Sequence, residues 1–141
     1  MSGARAALER LLADLAASER SADLIARWGD DVPSERAPSR RVIPQPVDPA
    51  FAELEVRPWE DGRTGGVEVR FAAEHVPSLD ELRAWVGGLE ETPPTPGGTF
   101  VLRGEWSRDD LPVPVVILVE EPEEPADRVP VVTLQRGRVR S

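Results

Sequence analysis

The sequence contains no cysteine, lysine, asparagine or tyrosine, and only one histidine. Without cysteine, disulfides, thiol nucleophiles and cysteine-ligated zinc are excluded. Without lysine, the Schiff-base and P-loop mechanisms that require its amine are excluded as well. A single histidine excludes a multi-histidine metal site. The catalytic inventory is therefore small, and we expect neither a cofactor nor a metal.

Long hydrophobic runs are also lacking. No apolar segment approaches the roughly 18 residues of a membrane-spanning helix. Asp14 interrupts the leucine-rich start of the chain, and no cleavage site follows it, so we expect no signal peptide and a cytoplasmic location. All 17 basic residues are arginine, which indicates the codon bias of a GC-rich, bacterial genome. Arginine is therefore weak evidence for arginine-specific chemistry.

Acidic residues outnumber basic ones, and the formal net charge of the 141 residues is −9. The excess lies in residues 42–135, which hold seven arginines against nineteen aspartates and glutamates. A surface of this sign repels the phosphates of nucleic acids and anionic lipids, so we expect neither as a partner. It would suit a basic protein, although solubility alone is the simpler explanation.

The N-terminal 28 residues form an amphipathic pattern that predicts a helical arm. Apolar residues recur at helical spacing, and the serines from Ser18 to Ser21 can split the helix in two. Because an isolated helix of this length is marginal in water, the apolar face must pack on something. The predicted partner-binding residues are Leu8, Leu11, Leu12, Leu15, Ile25 and Trp28.

Residues 29–50 carry five prolines. Proline fixes φ and removes a backbone donor, so we expect no regular structure here but a linker, or an extended strap laid over the domain.

Residues 51–135 predict an α+β domain with the order ββαβββ, followed by a basic tail at residues 136–141. Alternation of apolar and polar residues marks the strands, and Gly62, Gly65 and Gly66 mark a hairpin turn between the first two. Ser78 and Glu81 form a capping-box pattern that starts the helix. We expect a largely antiparallel sheet with one helix packed on a face.

The segment 113–119 differs from the other predicted strands because its apolar residues are continuous. Such a run is typical of a strand that is covered on both faces. Pro114 conflicts with this interpretation, since it favours an edge position or the start of a strand.

Candidate catalytic groups are few and scattered. His75 lies between a predicted strand and the capped helix, Asp109 and Asp110 lie in a predicted strand turn, and Glu60 lies in the hairpin turn. Acid–base catalysis needs two such groups in different environments at a set distance, which adjacent acids in turns rarely provide. No nucleophile-elbow motif is present.

Three functions remain open from the sequence. The leading hypothesis is a non-enzymatic accessory or regulatory protein, an adaptor or an inhibitor of the immunity type, that binds another protein through the helical arm. The second is a structural subunit of a homo-oligomer or a larger assembly. The third is a small hydrolase-like enzyme that uses carboxylates.

Overall fold

The computed structural model describes residues 3–33, 39–43, 49–58, 62–92, 101–120 and 128–137. Within them the chain forms a mixed α+β fold that combines helices with one antiparallel sheet.

The helices are short, and the first two follow each other directly. They are α1 (Gly3–Ala17), α2 (Ser21–Trp28) and α3 (Leu79–Val86), and a turn of 3₁₀ helix (Ala73–His75) precedes α3. The break between α1 and α2 falls in the serine-containing segment where the sequence predicted it. Ser78 begins α3 with the predicted capping box, and Gly87 ends it in the left-handed conformation at φ 83°.

Eight strands form the sheet. In chain order they are β1 (Asp30–Pro33), β2 (Arg40–Ile43), β3 (Phe51–Pro58), β4 (Thr64–Phe71), β5 (Glu90–Glu91), β6 (Val101–Trp106), β7 (Val115–Glu120) and β8 (Val131–Arg136). Their order across the sheet is β1-β2-β3-β4-β8-β7-β6-β5, and all neighbours are antiparallel. The last strand in sequence therefore lies near the middle of the sheet.

One hydrophobic core lies between the sheet and the helices. α1 packs over β7 and β8, α2 over β1 to β4, and α3 over β6. The predicted hairpin residues all face this core and are buried: Leu54, Val56, Val67, Val69 and Phe71. At about 25 cal/mol per Å² of apolar surface removed from water, this layer is the main source of stability.

The predicted order ββαβββ is not confirmed, because three strands are added to it. A strand or helix is found at each of the six predicted positions, as β3, β4, α3, β6, β7 and β8. The additional strands are β1, β2 and β5. Three helices rather than one lie on the covered face.

The expectation that residues 29–50 lack regular structure is wrong for part of that segment. β1 and β2 pair with each other, and β2 continues the sheet beside β3. Proline permits this arrangement because Pro33 is the last residue of an edge strand, where a missing backbone donor costs little. Pro38, Pro44 and Pro46 lie outside the described residues.

Candidate binding surface

The two faces of the sheet differ in what they contact. On β7, Val115, Ile117 and Val119 point into the core and are buried, whereas Val116 and Leu118 alternate with them and are half-buried on the other side. We call this other side the open face, because none of the described helices packs on it. Among the described residues, the helices therefore cover the continuous apolar run at 113–119 on one face only.

Apolar side chains occupy the centre of the open face. Leu118 on β7 is paired with Thr133 on β8, and Val116 is paired with Gln135. Val131 follows on β8, two residues from Thr133 on the same face. Leu118, Val116 and Val131 are all half-buried, although they are at the middle of an eight-stranded sheet.

Apart from Arg70 on β4, the charges on the β2–β4 half of the open face are paired within the chain. Arg41 donates from Nε to Oε1 of Glu53 at 2.6 Å and from Nη2 to Oε2 at 3.2 Å. Arg57 donates from Nη2 to Oε2 of Glu68 at 3.1 Å, and its Nη2 lies 3.8 Å from Oε2 of Glu55. These exposed pairs add little stability each, but they fix the arginine side chains across the strands.

The charges on the β5–β7 half differ because they are not paired within the described part of the chain. Within the described part of the chain, Arg103, Glu105 and Glu120 take part in no ion pair, and neither does Arg70 on β4. All four side chains are exposed. This half of the open face therefore presents unpaired charges beside an apolar centre, which is a common composition for a protein-binding surface.

The six residues predicted to bind a partner lie instead in the core of the chain itself. Five of them are at most 2% exposed, and Ile25 is partly buried against the same core. They are Leu8, Leu11, Leu12, Leu15 and Trp28. Their role in partner binding stays a prediction, and it requires that α1 and α2 leave the sheet.

Several contacts hold Trp28 of α2 against α1 and β3. Its Nε1 donates to Oδ2 of Asp14 at 2.9 Å, its ring lies 5.6 Å from that of Phe51, and the guanidinium of Arg10 lies 5.1 Å above it. Trp28 on the apolar face of the predicted arm therefore packs on its own chain.

Arg136 ties the last strand to the end of α1. Its Nε and Nη2 each donate at 3.1 Å, to the carbonyl oxygens of Leu15 and Ala16 respectively. Carbonyls at a helix C-terminus lack partners within the helix, so the guanidinium satisfies them and complements the helix dipole. Burial lowers the pKa of Arg136 from its ordinary value, although the group stays charged.

The described candidate catalytic residues lie on two separate connections of the fold. His75 ends the 3₁₀ turn between β4 and α3, and Asp109 and Asp110 lie exposed in the β6–β7 turn. Arg108 holds Asp110 through bonds of 2.7 and 2.8 Å, and this hydrogen bonding lowers the pKa of the Asp110 carboxyl. Glu60 lies outside the described residues.

A shallow cavity of about 450 Å³ lies at the corner between α1 and α2. Its wall mixes acids and bases and contains none of the candidate catalytic residues: Ala17, Ser18, Glu19, Arg20, Asp23, Ala26 and Arg27. The Ser18 hydroxyl is buried with no hydrogen-bond partner among the described residues, but so little of it is accessible that a ligand could not reach it. The described residues also contain no cluster of three metal-ligating side chains.

Comparison of the chain with family models, with curated proteins and with solved structures finds no match. Among the described helices, none has the length and apolar character needed to cross a membrane.

The open-face residues were not singled out by the sequence analysis. The available signal was the apolar run at 113–119, which predicts a cover on both faces of β7. The chain supplies one of these covers through α1. Leu118 and Val116 lie on the face where the second cover is lacking within the described residues.

Proposed function

We propose that this chain is a non-enzymatic accessory protein that acts by binding another protein, and that the open face is its binding surface. The observation that carries the proposal is the half-buried apolar centre, Leu118, Val116 and Val131, on strands in the middle of the sheet. A sheet with an apolar face packs on a second layer, such as another sheet at about 10 Å.

The chemistry of the surface supports a protein as the partner. Apolar centres with charged surroundings match the core and rim of protein interfaces. The net charge of −9 disfavours nucleic acids and anionic membranes, so the proposal includes neither. The proposal also keeps the cytoplasmic location expected from the sequence. An enzymatic role gains no support from the dispersed positions of His75, Asp109 and Asp110.

The proposal is tested by comparing three versions of the full-length chain as bait: wild type, Leu118→Arg and Ala6→Arg. Leu118 lies on the open face, whereas Ala6 is exposed on α1 at the opposite side of the molecule. Both variants add the same side chain, so Ala6→Arg controls for added charge. An unlabelled copy of the chain is included among the proteins offered to each bait.

A stoichiometric complex that forms with wild type and Ala6→Arg and is lost with Leu118→Arg is the expected result. Retention of every complex by the folded Leu118→Arg bait would contradict the assignment of the surface. Capture of no protein by wild type, including its own copy, would contradict the binding function itself.

A further inference from the structure

We propose that the open face binds a second copy of this chain, related by a twofold axis that runs along β8. This inference rests on the proposed function and identifies the partner for its surface. The order of charges across the sheet is complementary to itself under this operation, and it is not complementary when the axis is shifted by half a strand in either direction.

β8 is the middle strand of the seven from β2 to β5. On one side lie β4, β3 and β2, and on the other lie β7, β6 and β5. A twofold axis along β8, in the plane between two facing sheets, places β4 on β7 of the second copy, β3 on β6 and β2 on β5. Each contact then occurs twice, as in any isologous interface.

The central cross-strand row crosses seven strands in register, and its outer charges match under this operation. Arg41 on β2 meets Glu90 of the second copy, and Glu55 on β3 meets Arg103 of the second copy. The full row is Arg41, Glu55, Glu68, Thr133, Leu118, Arg103 and Glu90.

The two neighbouring rows give the same result. Arg57 shares a cross-strand row with Glu105, and it meets Glu105 of the second copy. The full row is Arg57, Gly66, Gln135, Val116 and Glu105. Arg70 is beside Val131 on β8, and it meets Glu120 of the second copy. In all four facing pairs that contain two charges, the charges are opposite.

Two charges face uncharged residues, and both are already neutralised within the chain. Glu68 meets Leu118 of the second copy and is bonded to Arg57, while Glu53 meets Val101 of the second copy and is bonded to Arg41. The axis itself passes through side chains that bear no charge, Val131, Thr133 and Gln135, each of which faces its own copy.

The match depends on the position of the axis. An axis shifted by half a strand toward β7 places Glu55 opposite Glu90 of the second copy. A shift by half a strand toward β4 places Arg103 opposite Arg41 of the second copy. Both alternatives bring like charges together, which costs binding energy and so selects the central position.

The size of the face suits a stable dimer. The seven facing strands, from β2 to β5 across the sheet, lie about 4.8 Å apart and rise about 3.3 Å per residue, so together they present on the order of 600 Å². A stable protein interface buries about 800 Å² on each partner. Aligned sheets cross at about −30°, an offset that long arginine and glutamate side chains can span at the rim.

The experiment uses charge reversal in the full-length chain, with dissociation constants from sedimentation equilibrium and folding checked by circular dichroism. Arg70→Glu and Glu120→Arg are chosen because both side chains are exposed and lack ion pairs among the described residues. Each variant alone places two pairs of like charges in its homodimer. An equimolar mixture of the two places only opposite charges in the heterodimer.

We expect the wild type to form dimers, each single variant to dimerise at least about 10-fold more weakly, and the mixture to recover dimerisation. Glu74→Arg, a reversal of an exposed glutamate away from the sheet, should leave the dissociation constant unchanged. Added salt should weaken the wild-type dimer, which provides a readout that needs no variant.

A wild-type chain that stays monomeric overturns the inference, as does a dimer that is insensitive to salt or a mixture that recovers nothing. Failure of the inference is distinguishable from failure of the proposed function. The wild type can be monomeric and still bind another protein in a complex that is lost in Leu118→Arg. In that case the open face remains the binding surface, and only the identity of its partner changes.

Discussion

The two faces of the sheet share the same strands but differ in how far their apolar side chains are buried. On the covered face, Leu134 and Ile117 are buried beneath helices of the same chain. On the open face, Leu118 and Val116 stand on neighbouring positions and stay half-buried. The comparison indicates that the covered face holds the fold together, and the open face is the one that we propose as the binding surface.

The largest expected effect is on the covered face. Leu134→Ala removes a fully buried side chain from the middle of the sheet and should lower the free energy of unfolding by about 2–5 kcal/mol. Urea denaturation monitored by tryptophan fluorescence measures this loss. A loss below about 1 kcal/mol would mean that the core is less tightly packed at this position than its burial indicates.

The next effect concerns the contact between β8 and α1. Arg136→Met keeps the apolar stem but removes both hydrogen bonds to the carbonyls of Leu15 and Ala16. We expect a loss of about 1.5–3 kcal/mol, because hydrogen bonds from a charged donor are the stronger kind. Gln135→Met, one position earlier and exposed on the other face, is the matched control and should change stability little when both variants are measured at a protein concentration low enough to exclude association. Equal losses in both variants would contradict the assigned role of Arg136.

Leu118→Ala should have a smaller effect on the stability of the single chain, at most about 1 kcal/mol, because its side chain is only partly removed from water. Measured at a protein concentration low enough to exclude association, it provides the direct counterpart of Leu134→Ala. At high concentration the same variant should lose additional stability, since binding stabilises the native state by mass action. A loss as large as that of Leu134→Ala at low concentration would remove the difference between the two faces.

The smallest expected effect is a pH dependence of stability at the N-terminus of α3, away from both faces of the sheet. Hydrogen bonds from the backbone and side chain of Ser78 lower the pKa of Glu81 below its ordinary value. The stabilisation by its charge is therefore present above that ordinary value of 4.5 and is lost as the pH falls through the lowered pKa. Glu81→Gln keeps the capping bonds without the charge, so its melting temperature should lie below that of wild type at neutral pH and converge with it in acid. A difference that persists unchanged in acid would contradict this account.

Much of the fold follows from local patterns in the sequence. Alternation predicted the β3–β4 hairpin and its buried face, and the spacing of Ser78 and Glu81 predicted the start of α3. β1 and β2 were missed because proline dominates their surroundings, and pairing to β3 is a tertiary interaction that local propensity does not encode.

The candidate surface could be predicted only in part. Helical periodicity shows that Leu8 and Leu12 need a partner layer, but it cannot tell a layer in the same chain from one in another molecule. The run at 113–119 predicts two covers, and only the placement of the helices shows which of them is lacking within the described residues. The facing charges, such as Arg70 and Glu120, depend on register across strands distant in sequence.

The most direct test of the central claim is carboxyl labelling of the unmodified wild-type chain at low and at high protein concentration, read out by mass spectrometry. Glu105 and Glu120 report on the open face, and Asp80, whose side chain is 96% exposed on α3, reports on the rest of the surface. We predict that Glu105 and Glu120 become protected as the concentration rises, while labelling of Asp80 stays constant. Unchanged labelling of the two glutamates, or protection of Asp80 in their place, would contradict the claim that the open face binds a second copy of the chain.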